Sequence, residues 1–274
     1  MKVTLVGYTP NPLYVCAEAA AACYDSEPDL KVIKGCIRSG HHSVLEHCSF
    51  TFRVEGISRV CSHQIVRHRI ASYSQQSQRY VTYDDLDWAL DGVPAELKDE
   101  LNYYCNNALG EYKLMISKGV RTEDAREVLP NATPTVIYIT FNLRAFMHFC
   151  NERMCSRASK EIHEVANGMT REVLAAQQIS DEEKEILATV LVPKCEAGQI
   201  KACPESAKDC CGRHKPIKEF TWRPKGRWID LKEHCEMNNS KPSGFGPVYF
   251  WCSECEGAFQ EKTKYCPDCG AEME

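Results

Sequence analysis

With 274 residues, the chain is long enough for one large domain or a domain with a small appendage. A hydrophobic fraction of 43%, a charged fraction of 26% and a net charge of −5 exclude a disordered, collagenous or strongly basic nucleic-acid-coating protein. The opening MKVTLVGYTP has no basic stretch followed by an apolar one, and the run TVIYITFNLRAFMHFC carries Arg144 and His148, too polar to span a bilayer. The expectation is a cytoplasmic globular protein without a membrane partner.

In chain order, LYVCAEAAAACYD predicts an Ala-rich buried helix, and KVIKGCIRSG predicts a second helix closed by Gly40. SFTFRVEG (49–56) alternates Phe50, Phe52 and Val54 with polar residues, a strand period. Helical spacing returns through Val60, Ile65 and Val66 in SRVCSHQIVRHR (58–69). Residues 94–119 predict a long amphipathic helix, and TEDAREVLP (122–130) a shorter one stopped by Pro130. TPTVIYITF (133–141) is β-branched, suiting a strand or the entry to a buried helix. Residues 142–176 read as helix throughout, with Asn142 as N-cap. The expected fold class is α/β (α+β), helices packed on a central sheet.

Seventeen cysteines are present, nine of them in the last eighty residues. In a reducing compartment that distribution points to metal thiolates in the tail, while the earlier eight sit among apolar neighbours as small core residues. Cys252, Cys255, Cys266 and Cys269 form C-x2-C, ten residues, C-x2-C, the spacing of two knuckles closing on one tetrahedral Zn2+. Lys241, Lys262 and Lys264 stand against six acids in 241–274, so this ribbon lacks the basic footprint of a nucleic-acid binder. A folding staple or protein contact suits it better. Cys195, Cys203, Cys210, Cys211 and His214 match no standard knuckle spacing. The expected organisation is a catalytic domain over 1–193, a Cys-rich connection over 194–239, the linker SKPSGFGP at 240–247 and the ribbon at 248–274.

RHRIASYSQQSQRY (67–80) gathers cations, hydroxyls and amides with none of the Lys/Glu mixture of a solvated face. From 53 to 79 the chain carries Arg53, Arg59, Arg67, Arg69 and Arg79 against the single acid Glu55, a positive island suited to an anion. His41, His42, Glu46 and His47 invite a metal, but His42 and His47 are five residues apart and splay on a helix, so capping or core hydrogen bonding fits better.

Arg67-His68-Arg69, seven residues, then Ser77 followed by Arg79-Tyr80 resembles the RHR-x7-S signature of flavin-dependent thymidylate synthases. GHHSVLEHCSFTFRVEGISR upstream, then DAREVLP, the Asn142-Leu143-Arg144 triplet and Arg153, resemble further segments of that family in the same order. The resemblance implies a homotetramer, with sites shared between subunits, that uses FAD, NADPH and methylenetetrahydrofolate to convert dUMP to dTMP. It implies flavin contacts from Ser43, Arg67, His68, Arg69, Gln75, Asn142, Arg144 and His148, with His41 a weaker candidate. Around dUMP it implies Gln64, Ile65, Val66, Arg67, Gln75, Gln76, Ser77, Gln78, Arg79, Arg126 and Arg153. Position 75, often Glu in the family, is Gln and so has no base character; His148 stands where relatives carry Asn.

Activating C5 of a uracil needs either a thiolate added at C6 or stabilisation of the ring as an N3 anion. No cysteine lies within the RHR motif, whereas an arginine stabilises the anion without giving up its proton. Arg153 is the residue matched to that role. On one helix, Arg144 and Arg153 are about 180° apart at about 100° per residue, so a shared pocket would be completed by another subunit.

Overall fold

The computed structural model describes residues 1–23 and 25–197, together with the backbone of five short strands further on. The chain divides into two units, Met1–Ala197 and Gly198–Glu274. In the first, β1 (Lys2–Tyr8) leads to α1 (Pro12–Ala22), α2 (Leu30–Ser39), a 3₁₀ turn (His42–His47) and β2 (Ser49–Ser58). There follow α3 (Arg59–Ile65), β3 (Ser72–Gln75), α4 (Ala95–Ser117), α5 (Thr122–Ala125), a 3₁₀ turn (Arg126–Val128) and β4 (Pro134–Asn142). Helices α6 (Leu143–Arg153), α7 (Lys160–Ala175) and α8 (Asp181–Val190) complete the unit.

The four strands form one antiparallel sheet in the order β1-β2-β4-β3. Alternation on β2 sends Phe50, Phe52 and Val54 into the core, and Ile137, Ile139 and Phe141 of β4 join them on the same face. There they meet Phe146 and Phe149 of α6, with Phe141–Phe146 stacked at 5.9 Å and Phe141–Phe149 tilted at 5.3 Å. Each fully buried aromatic contributes about 2 kcal/mol from water exclusion alone, so this cluster joins α6 firmly to the sheet. The register of β2 slips between Glu55 and Ile57, where Gly56 takes φ 69°, a left-handed value that a side chain resists. A second, smaller core of Tyr83, Trp88, Cys105, Leu109, Tyr112 and Ala125 lies beneath α4 and α5.

The sheet, the helix over 12–22 and the helix closed by Gly40 (φ 77°) follow the sequence expectation. Asn142 caps α6, its Oδ1 accepting from the Ala145 N–H at 2.8 Å. Four differences stand out. The helix beginning at 58 ends at Ile65, and 67–69 form a turn into β3, a strand that the polar composition of 72–75 hides. The expected helix over 142–176 breaks after Arg153 and resumes at Lys160. That break lets Glu161 reach back, accepting from the N–H (2.6 Å) and hydroxyl (2.5 Å) of Ser58. Residues 122–130 form only one helical turn and one 3₁₀ turn. Strand β1 and helix α8 carry no strong signal of their own, although Ser180 and Glu183 form a capping box at the start of α8.

Of the eight earlier cysteines, Cys16, Cys48, Cys61, Cys105 and Cys150 are buried as expected of core residues, whereas Cys23 is exposed and Cys36 and Cys155 are intermediate. In the second unit, Lys225–Gly226 (β5) pairs in parallel with Glu272–Met273 (β9). Trp228–Ile229 (β6), Phe250–Cys252 (β7) and Ala258–Phe259 (β8) form an antiparallel trio. Of the four ribbon cysteines, Cys252 closes β7. The expected thiolate cluster itself lies outside the described residues, as does the linker at 240–247.

Candidate functional site

The turn that follows α3 is built by its neighbours. The C-terminal carbonyls of a helix lack intrahelical partners. Here the Tyr73 hydroxyl lies 3.1 Å from the Ile65 carbonyl that ends α3 and donates to the His68 carbonyl of the turn at 2.5 Å. The His68 N–H also closes onto Ile65 O at 3.1 Å. Burial pushes the Tyr73 phenol up to about 12, so it remains a donor. Tyr73 is itself placed by β3, where it pairs with Ile139 and meets Phe141 edge-on at 6.5 Å.

Pinned in this way, the His68 ring stands edge-on to Phe149 at 4.9 Å and 5.6 Å from His148. Arg153, in the last turn of α6, donates from Nε to His68 Nε2 at 2.9 Å. Nε2 therefore acts as an acceptor and the imidazole is neutral. Burial, the Arg153 charge and His148 together hold His68 down to about 4. Among the described residues Nε is the only nitrogen of the Arg153 fork that is engaged, leaving both terminal nitrogens of a half-buried guanidinium available. Arg67 and Arg69, on either side of His68, are exposed and form no side-chain hydrogen bond or ion pair among the described residues.

The positive island seen in sequence is thereby divided. Arg53 is paired with Glu55, and Arg79 with Glu123 at 2.7 Å. Arg59 points inward, donating to Gln76 O at 3.2 Å and lying 3.4 Å from Thr135 Oγ1. Among the described residues, Arg67, Arg69 and the terminal nitrogens of Arg153 are left without a partner in that region. Arg79 belongs to a second cluster. There Ser77 Oγ accepts from the Arg79 N–H (3.2 Å), and Arg126 Nε donates to Glu123 O (3.0 Å).

The remaining candidates fall between these groups. Gln75 donates to Ser62 Oγ at 2.8 Å and sits 3.3 Å from Thr135 Oγ1, a connecting amide on the interior side of β3. Gln64 accepts from Ser159 at 2.9 Å. Ile65 has its side chain in the core and its carbonyl engaged, whereas Val66 is partly exposed. Gln76 is held on β4 through its N–H to Val136 O. Ser43 is exposed on the 3₁₀ turn that also carries Glu46, whose carboxylate pairs with Arg144 at 2.6 Å. His148 is exposed one turn beyond Arg144 on α6. Arg144 and Arg153 have different neighbours, as their helical spacing requires. His42 Nε2 lies 3.1 Å from Ile37 O, the helix-capping role expected of that cluster. Sequence reasoning did not single out Tyr73 or Glu161; the signal for Tyr73 was its place inside the seven-residue gap of the RHR motif.

Burial pushes Cys61 far up and Cys150 to about 12, so neither is a thiolate near neutrality. Among the described residues no helix is long and apolar enough to cross a membrane.

The family described as thymidylate synthase complementing protein matches residues 4–176. The flavin-dependent thymidylate synthase of Pyrococcus abyssi is 37% identical over 252 residues, covering 85% of this chain and 98% of its own. Those of Pyrococcus furiosus (41%; 75% and 90%) and Geobacter sulfurreducens (40%; 80% and 97%) are similar. In fold, the chain resembles the crystal structure of the Helicobacter pylori flavin-dependent thymidylate synthase complexed with FAD and dUMP. The TM-score is 0.56 at 22% identity, covering 69% of this chain and 99% of that one. A family match over more than half the chain, relatives covered almost end to end and a common fold agree with the RHR turn and its arginines: this chain is an enzyme of the flavin-dependent thymidylate synthase family.

Proposed function

We propose that the protein catalyses the reductive methylation of dUMP to dTMP, with methylenetetrahydrofolate as carbon donor, NADPH as reductant and FAD as cofactor. The observation that carries this reading is the half-buried Arg153 guanidinium, anchored through Nε with no partner for its terminal nitrogens among the described residues. Methylation at C5 needs negative charge on the pyrimidine N3–C4–O4 edge. A planar fork that stays protonated stabilises that charge without exchanging a proton. The high, buried thiols Cys61 and Cys150 favour this route over cysteine addition at C6.

The residues present suit a flavin dinucleotide. Arg67 and Arg69 are open cations for its diphosphate. Ser43, His68, Gln75, Asn142, Arg144 and His148 supply hydroxyl, imidazole, amide and guanidinium groups for its polar parts. Bound FAD would supply the redox chemistry between NADPH and the one-carbon unit. The protein's own part is to hold dUMP, with Gln64, Gln76, Ser77, Gln78, Arg79 and Arg126 for its polar edges and phosphate, and to keep Arg153 charged and oriented. The different partners of Arg144, paired with Glu46, and Arg153, bonded to His68, are in keeping with sites completed between subunits of a homotetramer, with the cytoplasm as its compartment. In the tail, the four-cysteine spacing supports one structural Zn2+ outside the chemistry.

The test is Arg153→Lys, which keeps a cation and loses the fork. Turnover should fall by about 100-fold or more while FAD absorbance is retained. Near-normal dTMP formation by this variant would overturn the assignment.

A further inference from the structure

We infer that His68 is the positioning residue for Arg153: its neutral imidazole, fixed from behind by Tyr73 and Phe149, holds the guanidinium by Nε and so aims the terminal nitrogens. This rests on the reading of Arg153 above and gives His68 a task besides the flavin contact that the family resemblance implies.

The geometry forms a chain of three links. Tyr73 fixes the backbone of the turn through the His68 and Ile65 carbonyls. Phe149 sets the plane of the imidazole, 72° from its own ring plane. The ring then accepts from Arg153. Arginine side chains have several rotatable bonds, and an unanchored guanidinium at a helix end samples many positions. A single hydrogen bond at Nε restricts the chain without occupying the two nitrogens needed for a planar acceptor. The bond requires an unprotonated Nε2. The charged and titratable groups acting on the ring are Arg153, His148 and Glu152 of α6, and Arg67 and Arg69 flank His68 along the chain. Burial, the Arg153 charge and the neighbouring His148 favour the neutral form, and Glu152, which opposes them, is itself paired with Lys194.

The full-length protein with labelled histidine provides a readout independent of turnover. Nitrogen NMR should show His68 neutral, with the proton on Nδ1, down to about pH 5, and Arg153→Gln should move its midpoint up towards the ordinary histidine value of about 6.5. A midpoint indifferent to Arg153→Gln would overturn the inference.

Kinetics at saturating FAD and dUMP should show His68→Leu lowering kcat by about 10- to 100-fold with less effect on KM. His68→Gln, whose amide oxygen accepts, should recover part of that loss. Combined with Arg153→Lys, His68→Leu should add no more than about 3-fold, since the two act as one unit. An unchanged kcat in His68→Leu beside a crippled Arg153→Lys would remove the positioning role and leave the Arg153 assignment standing. Full activity in Arg153→Lys would instead remove the assignment itself. A His68→Leu defect seen only below saturating FAD and absent at saturation would make His68 only a flavin contact. If His68→Leu fails to fold, the paired titrations of wild type and Arg153→Gln decide.

Discussion

Glu183 is fully buried, yet it is satisfied from two directions: Oε1 accepts from the Leu13 N–H at 2.8 Å and lies 3.3 Å from the Tyr14 N–H, and Oε2 accepts from the Ser180 N–H and hydroxyl at 3.0 and 2.9 Å. Asn11, at the N-cap of α1, makes no side-chain cap bond, so a carboxylate some 170 residues away takes that place. Glu183→Ala should cost about 3 kcal/mol, because buried donors are left unpaired; urea midpoints at constant m-value would measure it, and a loss under about 1 kcal/mol would contradict the account. His68 gives a pH dependence of known sign. Its folded value of about 4 lies below the ordinary 6.5, so between these values the unfolded chain binds the extra proton. The His68 contribution is therefore complete above pH 6.5 and is lost as pH falls towards 4. Denaturation followed across that window should show a shallower slope for His68→Leu than for wild type. Glu152, lowered by Lys194, loses its contribution only below the ordinary carboxylate range and does so in both proteins.

At the scale of elements, α7 approaches β1 as closely as backbone allows. A Cβ on Gly168 would stand 3.0 Å from Val3 Cγ2 and 3.3 Å from Val3 Cβ. Glycine inside a helix costs about 1 kcal/mol relative to alanine, and here that cost permits the close packing. Gly168→Ala should be nearly neutral, since propensity gained offsets a slight shift of Val3. Gly168→Leu should lose about 1–3 kcal/mol as α7 is driven off β1. Thermal denaturation of the two variants separates these outcomes, and equal midpoints would show that the contact yields freely. The Asn142 cap was legible from residue type and position, because N-cap preference is local. The break at 154–159 was not, since Met154, Cys155 and Arg157 are tolerated in helices and the requirement for a break comes from Glu161 reaching Ser58.

In the molecule as a whole, the two hydrophobic clusters found among the described residues lie within Met1–Ala197, with every buried member at or before Leu191. A chain ending after Ala197 should therefore fold and bind FAD, while metal analysis should show the loss of about one zinc per chain carried by the full-length protein. About thirty residues cannot build a sufficient core alone, so a cysteine-rich unit of that size depends on its metal. Full-length protein with no zinc would end the ribbon proposal. Loss of turnover on truncation, with flavin binding and oligomer intact, would place the tail in the chemistry.

By itself the sequence determined a helix within 13–25, a core strand over 49–56, the cap at Asn142 and the RHR signature, because each is written in a local period, a capping preference or a contiguous motif. It also carried the family, whose motifs keep their order along the chain. It left open which arginines of 53–79 are available. Charge counted along a strand or turn says nothing of partners such as Glu123, Thr135 or Gln76 O, and only the packed structure removes Arg59 and Arg79 from the island and leaves Arg67 and Arg69 open. The bond between Arg153 and His68, separated by 85 residues, belongs to the same class. It exists because α6 and the turn after α3 are brought together on Phe149 and Tyr73, and a neutral, aimed imidazole is a property of that environment and not of the histidine.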